Sequence, residues 1–185
     1  MSIRMTLSAA LISLTLPVAT LAYAAGGGSG GGDAGSGGSD QTSTPTCKSG
    51  EVYSQKEKKC VPANQGAIDD DDLFETGRAL AYAGRYGEAI QMLGLVSDKN
   101  DPRVLNMLGF SHRKSGRIEV GLGYYQEALT INPDFVLARE YLGEAYLTLG
   151  DLASAKNQLS EIEKRCGKGC AEYAELEKQI VAVGG

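Results

Sequence analysis

Residues Pro102 to Pro133 constrain this chain more than any other stretch. They read PRVLNMLGFSHRKSGRIEVGLGYYQEALTINP, two apolar stripes with a glycine between them. Leu105, Leu108 and His112 recur at helical spacing, Gly116 interrupts, and Ile118, Leu122, Tyr125, Leu129 and Ile131 form the second stripe before Asn132 and Pro133. Apolar residues three and four apart give a helix one face to bury, so the stretch predicts two amphipathic helices in antiparallel contact. Asp101 suits the N-cap, Pro102 the first helical position, and Gly116 the left-handed conformation that ends a helix. Gly109, Gly121 and Ala128 leave no bulk where the two axes would cross. Each mid-helix glycine costs about 1 kcal/mol relative to Ala, which close packing must offset.

The pattern recurs on both sides. Upstream it comprises Leu73, Gly77, Gly84, Tyr86, Ala89, Leu93 and Val96, and downstream Leu142, Gly143, Tyr146, Gly150, Leu152, Ala155, Leu159 and Ile162. The turn glycines Gly84, Gly116 and Gly150 lie 32 and 34 residues apart. With Leu105, Leu108-Gly109, His112, Gly116, Gly121, Tyr125, Ala128 and Pro133 in that order, the chain resembles the tetratricopeptide repeat family across roughly residues 70–167. His112 stands where the family has an aromatic, Gly121 where it has Ala, and Arg139 at the large apolar position of the third copy. The resemblance implies an all-α superhelix of three helix hairpins, about 70–101, 102–135 and 136–167, within a domain over 68–185. Tyr173, Leu176, Ile180 and Val183 share a helical face, which predicts a closing helix over about 170–183 that covers the end of the stack.

The rest of the chain reads as appendages. Residues 1–24 carry Arg4, an uncharged apolar run, Pro17 and Ala22-Tyr23-Ala24, the pattern of a secretory signal cut after Ala24. An uncleaved anchor in the inner membrane, facing the periplasm, is the alternative, since about 20 uncharged residues can span a bilayer. Residues 25–46 are mostly Gly, Ser, Thr and Asp and predict a disordered linker, because they offer no apolar surface to bury. Residues 47–61 then predict a small hairpin clipped by Cys47 and Cys60, with Lys56, Lys58 and Lys59 at its turn. Four cysteines allow three pairings, and the expectation taken is that neighbours in the chain pair, Cys47 with Cys60 and Cys166 with Cys170. The carboxylates Asp69 to Asp72 precede the first repeat helix and are read as its electrostatic cap. A divalent-metal loop needs alternating ligands and a glycine that this run lacks.

Chemistry has little to work with here. The chain has one histidine, His112, at a packing position, and no cofactor or metal is expected. Cys166 and Cys170 are separated by three residues, unlike a thioredoxin-type pair, and no His follows Cys170. The formal charge of −5 disfavours a nucleic-acid partner, because phosphate binding needs a basic footprint. The expected function is non-enzymatic protein binding by an adaptor, scaffold or assembly factor of the bacterial periplasm. The alternative is a redox, metallochaperone or cytochrome-assembly helper working through Cys166 and Cys170.

What the family resemblance implies about binding is specific. Its groove positions fall on Phe74, Arg78 and Tyr82, then Arg103, Asn106, Phe110, Arg113 and Lys114, then Glu140, Tyr141 and Glu144. Rings beside Arg and Asn suit an extended peptide or a partner helix. The cationic residues Arg103, Arg113 and Lys114 around Phe110 lead to the expectation of an acidic, partly apolar segment. The family's carboxylate clamp is not reproduced, because Phe74, Asn106 and Glu140 occupy positions that need its Lys-Asn pattern.

Overall fold

The computed structural model describes residues 45, 47–64 and 68–184. The expected signal segment and all of the expected linker except Pro45 lie outside them. The described elements are strands β1 (Glu51–Ser54) and β2 (Lys59–Pro62), then helices α1 (Asp70–Tyr82), α2 (Tyr86–Leu93), α3 (Pro102–Lys114), α4 (Ile118–Ile131), α5 (Val136–Thr148), α6 (Leu152–Cys166) and α7 (Ala171–Ala182). None of these helices is long and apolar enough to cross a membrane.

Three helix hairpins, α1/α2, α3/α4 and α5/α6, follow one another, and α7 packs on both members of the last. Within α3/α4 the small residues act as the sequence implies. A Cβ on Gly109 would meet the Tyr125 ring at 2.6 Å and the Gly121 carbonyl oxygen at 3.1 Å, while one on Gly121 would meet the Gly109 carbonyl oxygen at 2.8 Å. Tyr125 and Ala128 are fully buried at this crossing. Asp101 caps α3 by accepting from the Arg103 amide at 2.8 Å, with Pro102 just behind it, and Gly116 turns the chain at φ +87°. A side chain other than glycine is strained at such a φ.

The two ends of the stack are closed differently. At the N-terminal end, β1 and β2 pair antiparallel with Tyr53 opposite Cys60, and the hairpin lies against α1. Val52 is fully buried in the main core, beside Leu73 and Phe74 among others. The Tyr53 amide donates to Thr76 Oγ1 at 3.4 Å and the Gln55 amide to Asp72 Oδ2 at 3.1 Å. At the C-terminal end, Tyr173, Leu176 and Ile180 of α7 pack with Ala155 and Ile162 in a second cluster. Leu176 occupies the space beside Gly143, where an added Cβ would lie 2.6 Å from it.

The acidic run, Asp69 at the N-cap and Asp70 to Asp72 in the first turn of α1, is absorbed by the fold. Asp69 caps α1 through the Asp71 amide, Asp70 accepts from the Ser97 amide and hydroxyl, Asp71 pairs with Arg103, and buried Asp72 takes the Gln55 amide. Each carboxylate therefore has its own partner, which goes beyond the general attraction to a helix N-terminus. The sulfur atoms of Cys47 and Cys60 lie at bonding distance, as do those of Cys166 and Cys170, with Cα separations of 5.7 and 5.9 Å.

Candidate functional site

The first helix of each pair contributes to one shared face, α1 meeting α3 and α3 meeting α5. Residues spaced three and four apart on these helices point the same way, so this face gathers Phe74, Arg78 and Tyr82 from α1, Arg103, Asn106, Phe110, Arg113 and Lys114 from α3, and Glu140, Tyr141 and Glu144 from α5. At its centre is an aromatic cluster. Phe110 lies edge-on to Tyr82 at 5.5 Å and tilted to Tyr141 at 5.2 Å, and the Tyr82 and Tyr141 hydroxyls are 3.4 Å apart. Phe110 and Tyr141 are largely buried, whereas Tyr82 is 52 % exposed and forms the accessible edge of the cluster. Burial, together with the hydrogen bond shared with Tyr82, pushes the Tyr141 phenol well above its ordinary range.

The arginines of this face are already occupied. Arg78 pairs with Glu75 at 2.5 Å. Arg103 pairs with Asp101 at 2.7 Å and Asp71 at 3.0 Å while its guanidinium stacks 4.8 Å above Phe74, itself buried. Its pKa is raised, chiefly by the hydrogen bonds to Asp101. Arg113 is buried: its Nε donates to the Tyr125 hydroxyl at 3.2 Å and its Nη2 sits 2.5 Å from Glu144 Oε2. Burial opposes the Arg113 charge, but Tyr125 and Glu144 outweigh it and raise its pKa. Burial likewise pushes the Tyr125 phenol up to about 12, so it stays protonated. Arg113 thus ties α3, α4 and α5 together.

Lys114 differs from these arginines. It is exposed, its Nζ lies 5.6 Å from the Phe110 ring, and no carboxylate among the described residues pairs with it. Asn106 is only 1 % exposed, and its Oδ1, like Arg113 Nη2, has no hydrogen-bond partner among the described residues. A buried acceptor without a donor costs about 1–3 kcal/mol.

Acidic groups dominate where α5 meets α7. Glu140 is 7 % exposed and accepts no hydrogen bond among the described residues. Burial first, then the carboxylates of Glu144, Glu172 and Glu175, push its pKa up to about 8, with Arg113 pulling the other way. Gln179 donates to Glu144 at 2.6 Å and to Glu175 at 3.2 Å, bridging α7 to α5. A cavity of about 430 Å³ opens between the ends of α3, α5 and α7, lined by Arg113, Lys114, Glu144, Thr148 and Gln179 among others.

Reading the sequence brought α7 in only as a closing helix and missed its acidic contribution to this face. Glu172, Glu175 and Gln179 each precede a member of its apolar stripe, Tyr173, Leu176 and Ile180, and that offset was the available signal. His112 is half-buried, stacks 5.3 Å from Tyr124, and accepts through Nδ1 from Arg117 Nε at 2.9 Å. Burial first, then the Arg117 charge, lowers its pKa, which keeps the ring neutral. Cys166, Cys170 and Glu172 offer ligand atoms within 4.8 Å of one another, away from the aromatic cluster on the α6–α7 turn.

Stacked helix hairpins with glycine-tight crossings and a shared inner face define a helical-repeat protein. The Tetratricopeptide repeat profile matches residues 112–180. The photosystem I assembly protein Ycf3 of Rippkaea orientalis is 30 % identical over 120 residues, covering 62 % of this chain and 69 % of that protein. Its counterpart in Acaryochloris marina is 27 % identical over 122 residues, covering 63 % and 74 %. The crystal structure of PcrH from Pseudomonas aeruginosa superposes with a TM-score of 0.56 at 21 % identity, covering 65 % of this chain and 96 % of that one. The first repeat domain of Spaghetti (RPAP3) bound to the HSP90 peptide SRMEEVD gives 0.54 at 22 %, covering 63 % and 94 %. The chain belongs to the tetratricopeptide repeat family.

Proposed function

We propose that this chain is a non-enzymatic protein-binding module, an adaptor or assembly factor that takes a peptide or helix against the face of α1, α3 and α5. The observation that carries this reading is the Tyr82–Phe110–Tyr141 cluster, rigidly packed from below and open at Tyr82 and Lys114. Rigid aromatic anchors beside polar groups are what peptide grooves present, since little conformational entropy is lost when they are covered. The names of the relatives, assembly proteins, fit such a role. The periplasm is the proposed compartment, supported by the signal-like first segment and by two cysteine pairs at bonding distance, which an oxidising compartment would keep as disulfides. Anchorage of the N-terminal segment in the inner membrane is the alternative placement, and N-terminal sequencing of the mature protein tells the two apart.

A photo-crosslinking residue at Tyr82 or Lys114, with one at exposed Val120 on α4 as the control, tests the groove in the native envelope. Adducts specific to Tyr82 and Lys114 are expected. Equal labelling from Val120 removes the groove as the binding surface.

A second reading uses Cys166 and Cys170, which with Glu172 bring two sulfurs and a carboxylate together at an exposed turn. It makes the chain a redox or metal-handling helper. Thiol counting on the purified protein separates the readings: two titratable thiols that take up a soft metal support the second, and none leaves only structural staples.

A further inference from the structure

We propose that the segment bound in the groove presents a lysine or arginine side chain to Glu140 at the junction of α3, α5 and α7, beside an apolar side chain that covers the Tyr82 edge. The inference rests on the groove reading and adds the partner's chemistry. It also reverses the expectation of an acidic segment. Of Arg103, Arg113 and Lys114, whose charge suggested acidity, both arginines are neutralised within the protein, as is Arg78, and Lys114 alone pairs with no described carboxylate. A carboxylate from outside would have to displace Glu75, Asp101 or Glu144 to reach the arginines. For Arg113 that means breaking a buried pair, a loss of several kcal/mol that a new ion pair only repays.

The acidic side of the groove is the unmatched one. Glu140 is more than nine-tenths buried and accepts no hydrogen bond from a described residue, and Glu172 pairs with no described cation. Glu175 meets Lys178 only at 3.5 Å on an exposed face. Arg113 also faces Glu140, but its charge is spent on Glu144, and Gln179 already gives its amide to Glu144 and Glu175. At the equivalent position one repeat earlier stands Asn106, whose buried Oδ1 lacks a donor. Two adjacent repeats therefore hold an acceptor without a described donor on the same face, and with Asn106 Oδ1 sealed from solvent it is Glu140 that calls for a donor from outside. An ammonium or guanidinium brings several donors and a charge that like-charged neighbours welcome. Burial of Glu140 adds a pH signature, because its carboxyl must lose a proton to pair with the cation.

Fluorescein-labelled, end-blocked peptides of the pattern Gly-Leu-Xaa-Leu-Gly-Leu-Xaa-Leu-Gly, with Xaa as Lys, Gln or Glu, are titrated against the purified chain by anisotropy at low salt. The lysine peptide is expected to bind tightest, and Glu140→Gln to weaken it about tenfold at pH 9. Between pH 7 and 9 its affinity rises about tenfold in the parent chain and stays flat in the variant. Glu172→Gln is a second variant at the half-buried rim of the site, expected to weaken binding less, with unchanged circular dichroism in both. Preference for the glutamate peptide, no binding by any of the three, or indifference of the lysine peptide to both variants overturns the proposal. If Tyr82→Ala still weakens whichever peptide binds, the groove reading survives that failure. If it does not, the groove reading falls as well.

Discussion

The two ends of the repeat stack solve one problem with different physics. A stack of helix hairpins leaves an apolar face open at each terminus, and each must be covered. At the start, a short hairpin of two strands does this with Val52 in the apolar core, and with backbone amides that donate to Thr76 and Asp72 on α1. At the finish, a full helix does it with three apolar residues, Tyr173, Leu176 and Ile180, and with Gln179 bridging to α5. The first cover is mainly polar and directional, whereas the second is mainly hydrophobic. A polar cover fixes orientation and is weakened by losing one acceptor. A hydrophobic cover is strong and leaves its outer edge free for acidic residues that reach the groove.

If the C-terminal cover is hydrophobic, its loss should be the costliest. Leu176→Ala removes a fully buried side chain wedged against Gly143 and is expected to cost about 4 kcal/mol, read as a drop in the urea midpoint. A cost below about 1 kcal/mol would mean that α7 is not needed to close the stack. Next comes the covalent contribution at the other end. In the oxidised protein, Cys47→Ala with Cys60→Ala opens a link between residues 13 apart and is expected to cost about 3 kcal/mol. The same change at Cys166 and Cys170, only 4 apart, should cost less, about 2 kcal/mol. Equal losses would erase the contrast between the ends. The polar cover is then tested by Asp72→Ala, which strands the Gln55 amide and is expected to cost about 2 kcal/mol. Faster amide exchange at Gln55 and Tyr53, with α7 unaffected, would locate that loss at the hairpin.

Much of this was legible before the structure. The glycines at 84, 116 and 150 mark the three turns, each with φ near +80°, and the small residues Gly109 and Gly121 mark the crossing of α3 with α4. These signals are local, carried by spacing within about one repeat. What was not legible is pairing across repeats. Arg113 looks like a free groove cation until Glu144 on α5 is seen 2.5 Å away, and Glu144 in turn is met by Gln179, 35 residues further along. The hairpin over 47–61 was expected as an appendage, yet its backbone amides find their acceptors on α1, 23 and 17 residues away. Charge patterns along a sequence show which residues can pair and leave open which will.

The response to pH separates the ends most cleanly, because their carboxylates move in opposite directions. At the N-terminal end, Asp70 accepts hydrogen bonds from the Ser97 backbone amide and side chain, which lower its pKa below the ordinary 3.8. Its contribution is present above the unfolded value and is lost as pH falls through the folded one. At the C-terminal end, burial and then Glu144 raise Glu140 from 4.5 to about 8, so the folded protein holds a proton there that the unfolded chain has released. Stability from Glu140 is therefore complete below pH 4.5 and is lost progressively as pH rises to about 8. Glu140→Gln cannot ionise and should flatten that decline, gaining stability on the parent chain steadily from acidic pH to pH 9. Amide exchange followed from pH 5 to pH 9, after correction for the intrinsic rate, should show α5 and α7 loosening in the parent chain while the hairpin and α1 hold. Loosening of all elements together would mean that the two covers open as one cooperative unit, whatever the difference in how they are built.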